Sequence, residues 1–318
     1  MTERVAAIDC GTNSIRLLVA DLPEPSAGPE SALVDVARRM EIVRLGQGVD
    51  RTGRLAPEAI ERTRVVLARY AAEISSLGAT RVRMCATSAS RDAANADEFR
   101  AMVLGTLGVE PEVVTGDDEA RLSFTGAVRG LRPDVRGPFL VVDIGGGSTE
   151  FVVGDRPSGG GTATVQAAVS MDIGCVRMTE RHLRDDPPTP EQVAAAEADI
   201  TAAVERALTV VPGREAATLI GLAGSVTTVA GIALGLPEYR SERIHHARVP
   251  YADVVKVTTD LLARSAAERL TIPVMHPGRA DVIGAGALVL QVVMRSAGMS
   301  SVIASEHDIL DGIAWSLA

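Results

Sequence analysis

The sequence predicts an α/β protein of two domains related by duplication. Three observations predict it. Short apolar runs of strand length alternate with segments of helical spacing along the chain. A strand–acid–glycine–strand pattern occurs twice: residues 5–8, Asp9, C-G-T-N-S and 15–20, then 139–142, Asp143, I-G-G-G-S-T-E and 151–153. The copies align Asp9 with Asp143, Gly11 with Gly145 and Ser14 with Ser148, and their spacing of 134 residues is too long for a solenoid unit. One copy per domain fits a chain of 318 residues, whose length suggests about two domains.

Composition bounds the class. Hydrophobic residues make up 46% of the chain and aromatic residues 3%, so the cores are sizeable and aliphatic. A net charge of −9 argues against non-specific nucleic-acid binding, which needs a basic field, but allows a polyanion held in a local positive groove. Lys256 is the only lysine, and no G-x-x-x-x-G-K-[ST] motif occurs, which excludes a P-loop NTPase. Ser148 and Ser225 lack the G-x-S-x-G frame of a serine hydrolase. Cys10, Cys85 and Cys175 have neither disulfide-framework nor zinc spacing and read as buried thiols of a reduced compartment. No apolar signal region stands at the N-terminus. The uncharged stretch 216–237 contains Gly221, Gly224, Gly231 and Gly235, and reads as a strand, a glycine turn and a buried helix rather than a membrane span. A cytoplasmic protein is expected, with no membrane partner.

The first hairpin, around Asp9, leads through a Pro- and Gly-containing connection to a strand pair expected over 33–45. Gly46-Gln47-Gly48 lacks the third glycine of a dinucleotide fingerprint and is set aside; Arg51 and Arg54 follow in the loop. Pro57 to Leu77 keeps helical spacing, with proline in the first turn and Gly78 as a C-cap. A strand over 82–86 runs into a loop, 87–92, at the strand end where α/β folds bind ligands, and Arg91 sits in it. Asn95 and Glu98 predict a capping box. After a strand over 112–115, Thr115 and Asp118 can cap a helix whose first-turn acids suit its dipole. Glu119 and Ser123 share a face, so Glu119 is expected to look into a cleft.

The second hairpin is chemically the richer. Three glycines in a row are costly in a strand. They suit a turn whose bare N–H groups point at an anion with no Cβ in the way. Asp143 and Glu150 place two carboxylates beside them, as an oxygen-liganded Mg²⁺ bridging to phosphate requires. A plain hairpin using glycine for turn geometry is the alternative. Beyond it come a hairpin tip at Gly159, Gly160 and Gly161, a turn at Asp172 and Gly174 into a helix, and an alanine-rich helix opened by a capping box at Thr189 and Gln192. A strand over 219–222 opens onto a third glycine and hydroxyl turn holding Gly224 and Ser225. Gly284 and Gly286 imply close helix packing or cleft lining, His245-His246 is too short a cluster for a metal, and His307-Asp308 reads as a helix start.

Together, A-I-D-C-G-T-N-S-I-R-L-L, A-T-S-A-S-R-D-A-x-N, T-G-D-D-E-A-R-L-S-F-x-G, V-V-D-I-G-G-G-S-T-E, D-I-G-C-V-R-M-T-E, G-L-A-G-S-V-T-T and G-R-A-D-V-I-G-A-G resemble the exopolyphosphatase / guanosine pentaphosphate phosphohydrolase (Ppx/GppA) family. That family lies within the actin, Hsp70 and sugar-kinase superfamily. The stretches run in family order from end to end, and E-A-R-L-S-F with D-I-G-G-G-S-T-E carries the specificity. The resemblance implies two ribonuclease-H-like (actin-like ATPase) domains flanking a central cleft. They are expected over 1–124 and 125–304, with a terminal helix, 305–318, returning to the first.

The resemblance also implies roles. Glu119 becomes the base that activates the attacking water, with Arg91 offsetting phosphate charge. Asp143 and Glu150 hold Mg²⁺, or Mn²⁺ in its place. Phosphate oxygens are cradled by Asp9, Gly11, Thr12, Asn13 and Ser14, by Gly145, Gly146, Gly147, Ser148 and Thr149, and by Gly224 and Ser225. The implied substrate is inorganic polyphosphate, in short chains because the length matches the short two-domain members, or pppGpp of the stringent response. A homodimer is suggested. Ser225 departs from the usual threonine, and Asp117-Asp118 from the usual glutamates, with Glu119 still in register. A non-catalytic polyphosphate or alarmone sensor of the same fold is the alternative, against which the intact Glu119, Asp143 and Glu150 argue. An ATP-using kinase or chaperone is a third reading, for which only the loops speak.

Overall fold

The computed structural model describes residues 3–24, 32–132, 134–156 and 163–318. The expected hairpin tip at Gly159 to Gly161, and most of the connection before residue 33, lie outside the described residues. The chain divides into two units. One holds the chain up to Gly130 together with Asp308–Ala318; the other holds Leu131–Asp155 and Thr164–His307. The first unit runs past residue 124 because the helix Gly116–Arg129 is continuous.

In the first unit the strands are β1 (Arg4–Cys10), β2 (Ser14–Asp21), β3 (Val34–Ile42), β4 (Arg81–Ala86) and β5 (Glu112–Val113), in the order β3-β2-β1-β4-β5. The first three are antiparallel, and β4 and β5 add in parallel to β1. The second unit has β6 (Phe139–Ile144), β7 (Thr149–Asp155), β8 (Thr164–Met171), β9 (Thr218–Leu222), β10 (Arg248–Pro250) and β11 (Ser301–Ala304), in the order β10-β11-β9-β6-β7-β8. Here too three antiparallel strands precede two parallel ones, and β10 adds an antiparallel edge. Each sheet is thus ribonuclease-H-like, and the duplication read from two hairpins extends through both sheets.

Alternation along β1 shows how a sheet divides its core. Ala6, Ile8 and Cys10 face one aliphatic cluster, with Leu67, Tyr70 and Ile74 of the helix Pro57–Leu77 and Phe99 of the helix Ala96–Leu107. Val5 and Ala7 face the other, with Ile309, Leu310, Ile313 and Ala314 of the C-terminal helix Ile309–Trp315. Each fully buried leucine or isoleucine contributes about 1.5–3 kcal/mol. In the second unit Leu140, Val142 and Ile144 of β6 share a cluster with Ile200, Val204 and Ala207 of the helix Pro190–Val210 and with Leu288 and Val292 of the helix Ile283–Ala297. Among the described residues no helix is long and apolar enough to cross a membrane.

Expectations change at several points. The strand pair over 33–45 is a single strand, β3; the Val43 and Arg44 N–H groups leave it to bond the Asn13 carbonyl at 3.0 and 2.8 Å. The loop 87–92 contains a short helix, Ser88–Asp92. Asn95 makes no capping box, because its side chain clasps Leu55, accepting from its N–H at 2.8 Å and donating to its carbonyl at 3.1 Å. The terminal helix begins only at Ile309, after Asp308 closes a capping box with Asp311.

Candidate phosphate-binding and catalytic residues

The two hairpins fold alike. Asp9 lies opposite Arg16 and Cys10 opposite Ile15; Asp143 lies opposite Glu150 and Ile144 opposite Thr149. The Gly11 N–H donates to the Ser14 carbonyl at 2.9 Å, and the Gly145 N–H to the Ser148 carbonyl at 3.0 Å. These two amides close their own turns rather than staying open to a ligand.

The second hairpin has its carbonyls drawn to one side. Gly145 O accepts from Cys175 N at 2.9 Å, and Gly146 O from Val176 N and Arg177 N at 2.8 and 3.1 Å. Gly147 O accepts from Gly174 N at 3.1 Å and from Arg177 Nε at 2.7 Å. All five donors belong to the start of the helix Cys175–His182 or to its N-cap. In a trans peptide the C=O and the following N–H point opposite ways. Tying back these three carbonyls therefore turns the N–H groups of Gly146, Gly147 and Ser148 away from the helix. Among the described residues these three amides donate to no protein acceptor, so they form a row of donors suited to an anion. A Cβ on Gly174 would run into the Gly146 carbonyl, which explains a glycine there.

Asp143 and Glu150 stand beside this row, 6% and 1% exposed. Ser170 Oγ donates to Glu150 Oε1 at 2.7 Å. Two buried carboxylates directly across adjacent strands are oxygen donors of the kind that would suit a hard divalent cation. The Thr149 hydroxyl is committed elsewhere, donating to the Ile173 carbonyl at 2.8 Å.

In the first unit Asp9 is 4% exposed, and Arg16 grips its Oδ2 through Nε at 3.0 Å and Nη2 at 2.7 Å. Arg16 Nη1 also donates to Asp308 Oδ2. Burial raises the Asp9 carboxyl above its usual range, against the opposing pull of Arg16, and among the described residues Oδ1 has no hydrogen-bond partner. The turn is braced from two segments. Gly46 N donates to the Thr12 carbonyl at 2.9 Å, and Thr12 Oγ1 lies 2.9 Å from Ser88 Oγ. A Cβ on Gly46 would collide with Thr12, so the Gly46-Gln47-Gly48 loop holds the hairpin.

Glu119 joins the same network. Thr87 N donates to the Cys10 carbonyl at 3.1 Å, and Arg91 N to the Thr87 carbonyl at 3.0 Å. Arg91 Nη1 then donates to Glu119 Oε2 and to the Val114 carbonyl, both at 3.1 Å. Glu119 is 8% exposed, in the first turn of a helix that Thr115 caps by accepting from Asp118 N at 3.1 Å.

The third turn packs against an arginine and a helix glycine. A Cβ on Gly224 would collide with the Arg279 guanidinium, and one on Gly286 with Ser225 Oγ. Gly224 thus seats an arginine, and Ser225 turns its hydroxyl toward Gly286. His245 and His246 stack at 3.7 Å between ring centroids, with His307 4.4 Å from His245. Among the described residues no group of three or more His, Cys, Asp or Glu is arranged to hold a metal.

The chain as a whole matches known proteins. The model of the Ppx/GppA phosphatase family matches residues 26–318. The chain belongs to the Ppx/GppA phosphatase family. It is 50% identical over 324 aligned residues to exopolyphosphatase 2 of Mycobacterium tuberculosis, covering 99% of this chain and 98% of that protein. Among solved structures it is similar to an exopolyphosphatase-like protein, at 42% identity and a TM-score of 0.92, over 99% of this chain and 98% of the other. It is also similar to the Ppx/GppA enzyme of Aquifex aeolicus, at 30% identity and a TM-score of 0.80, over 99% of this chain and all of the other.

Some residues around these sites in this Ppx/GppA member are not among those the sequence singles out. Arg16 occupies the repeat position of Glu150, so extending the alignment past Ser14 would have found it. Arg177 lies inside a quoted motif, but only the fold shows it bonded to Gly147. Arg279 lies inside a quoted motif and Asp308 at an expected helix start, but their contacts with Gly224 and Arg16 join segments distant in sequence, and Ser170 has no local signal.

Proposed function

We propose that this chain is a Mg²⁺-dependent exopolyphosphatase that releases orthophosphate from the end of inorganic polyphosphate, short chains first, and that acts also on the terminal phosphate of pppGpp. The observation that carries the reading is the row of open amides at Gly146, Gly147 and Ser148 beside the buried Asp143–Glu150 pair. The name of the relative from Mycobacterium tuberculosis supports the substrate class.

In this reading the three amides receive the oxygens of the terminal phosphate, at a loop whose carbonyls already cap a helix start. Asp143 and Glu150 hold Mg²⁺, which when bound offsets the charge on the phosphate oxygens. Glu119 takes a proton from the attacking water. The water oxygen bonds to the terminal phosphorus as the phosphoanhydride P–O bond breaks, and the shortened chain leaves as an anion. Arg91 steadies the Glu119 carboxylate and adds positive charge. Arg16 neutralises Asp9, so the first hairpin can present Thr12, Asn13 and Ser14 to a polyanion without a bare carboxylate. Such catalysis is mostly positioning and electrostatics, the kind of work fixed amides and ion pairs do. Three free, buried cysteines agree with a reduced, cytoplasmic setting.

Orthophosphate release from tripolyphosphate, long-chain polyphosphate and pppGpp, measured in parallel, tests the substrate assignment. Tripolyphosphate is expected to turn over fastest. A preference for pppGpp over both polyphosphates would replace the substrate while keeping the chemistry, and binding without turnover of any of them would point to a sensor.

A further inference from the structure

We propose that Ser170 is a positioning residue that fixes Glu150 for the divalent cation; the inference rests on the reading of Asp143 and Glu150 as its ligands. Asp143, Glu150 and Ser170 form one row across β6, β7 and β8, each directly opposite the next. Directly opposed residues in antiparallel strands project from the same face, with Cβ atoms about 4.5–5.5 Å apart. The Ser170 hydroxyl donates to Glu150 Oε1 at 2.7 Å, the short distance of a hydrogen bond to a charged acceptor.

The first copy of the hairpin provides the contrast. Its equivalent row, across β1, β2 and β3, reads Asp9, Arg16 and Met40. Where the central residue is an arginine, its far neighbour carries no hydroxyl. Where the central residue is a carboxylate, its far neighbour is a serine that donates to it. Glu150 is 1% exposed, so bulk water can do little to orient or solvate its charge. A donor locked on Oε1 fixes the plane of the carboxylate, as outer partners of metal ligands do.

The test is a Mn²⁺ titration of the full chain without substrate, followed by the electron paramagnetic resonance of the free ion. Wild type is compared with Ser170→Ala, Ser170→Thr, Ser170→Val and Asp143→Asn. Thr and Val have nearly the same shape, so that pair isolates the hydroxyl from packing. Loss of the donor is expected to weaken Mn²⁺ binding about 10-fold in Ser170→Ala and Ser170→Val. Ser170→Thr is expected to bind as wild type does. Equal affinity in the Thr and Val proteins overturns the role of Ser170. If Asp143→Asn also binds Mn²⁺ as wild type does, the metal assignment itself falls; if only Asp143→Asn loses the ion, the metal assignment stands and the positioning role alone is lost.

Discussion

Arg16 and Glu150 occupy the same place in the two copies of the hairpin, each directly across from the aspartate that ends the first strand. The backbone repeats while the charge inverts. In the first copy a guanidinium neutralises Asp9. In the second, two buried carboxylates face each other across adjacent strands, the pair proposed to hold the cation. Asp143→Asn is therefore expected to raise the Mg²⁺ concentration for half-maximal phosphate release at least about 10-fold. An unaltered metal titration would remove Asp143 from the cation site.

Glu119 is held by Arg91 at 3.1 Å in a nearly closed environment. Replacing it with glutamine keeps the shape and removes the base. Turnover of Glu119→Gln should fall by about 10²-fold or more, with KM close to wild type. A kcat within a few-fold of wild type would move the base elsewhere.

Gly174 is a second sensitive point, away from any reacting atom. A methyl group there meets the Gly146 carbonyl and the Gly147 nitrogen, so the loop must leave the helix start. Overpacking of this kind costs about 1–3 kcal/mol. Gly174→Ala should raise KM for polyphosphate and lower kcat together, while circular dichroism stays that of the folded protein. Unchanged kinetics would show that the loop tolerates another path.

The three packed histidines predict a pH response. Burial lowers the proton affinity of His246, and His307 and Arg132 lower it further. The folded protein then binds this proton less readily than the unfolded chain, whose histidine titrates near pH 6.5. Stability is fully present above that value and declines as pH falls below it, where the unfolded chain binds more protons. His246 has a φ of 63°, a left-handed conformation that asparagine tolerates. His246→Asn should flatten the fall of Tm between about pH 7 and 5. Identical slopes in the two proteins would assign the acid sensitivity to other groups.

Much of the fold is legible in the sequence because its signals are local. A strand, its terminal acid and its glycine turn are contiguous at Asp9 and at Asp143, so both hairpins can be read directly, along with the residues proposed to face phosphate. Pro57 and Gly78 mark the ends of their helix for the same reason. What escapes is made by distant segments. Arg16 reaches Asp308, and Arg38 reaches Asp311 at 2.6 Å. Gly126 abuts the Asp308 carbonyl and Gly312 the Leu122 carbonyl, so two helices cross with their backbones in contact. Neither glycine carries a turn signal. Asn95 has the spacing of a cap and serves Leu55 instead, a competition that only the folded chain decides.

Orthophosphate release from tripolyphosphate by the wild-type chain, with Mg²⁺ and with the metal chelated, tests the central claim most directly. The expected result is steady release with Mg²⁺ and near-complete loss on chelation, recovered when the ion is restored. Equal release in both conditions would contradict a role for the Asp143–Glu150 pair in holding the cation. No release in either would contradict the phosphohydrolase itself.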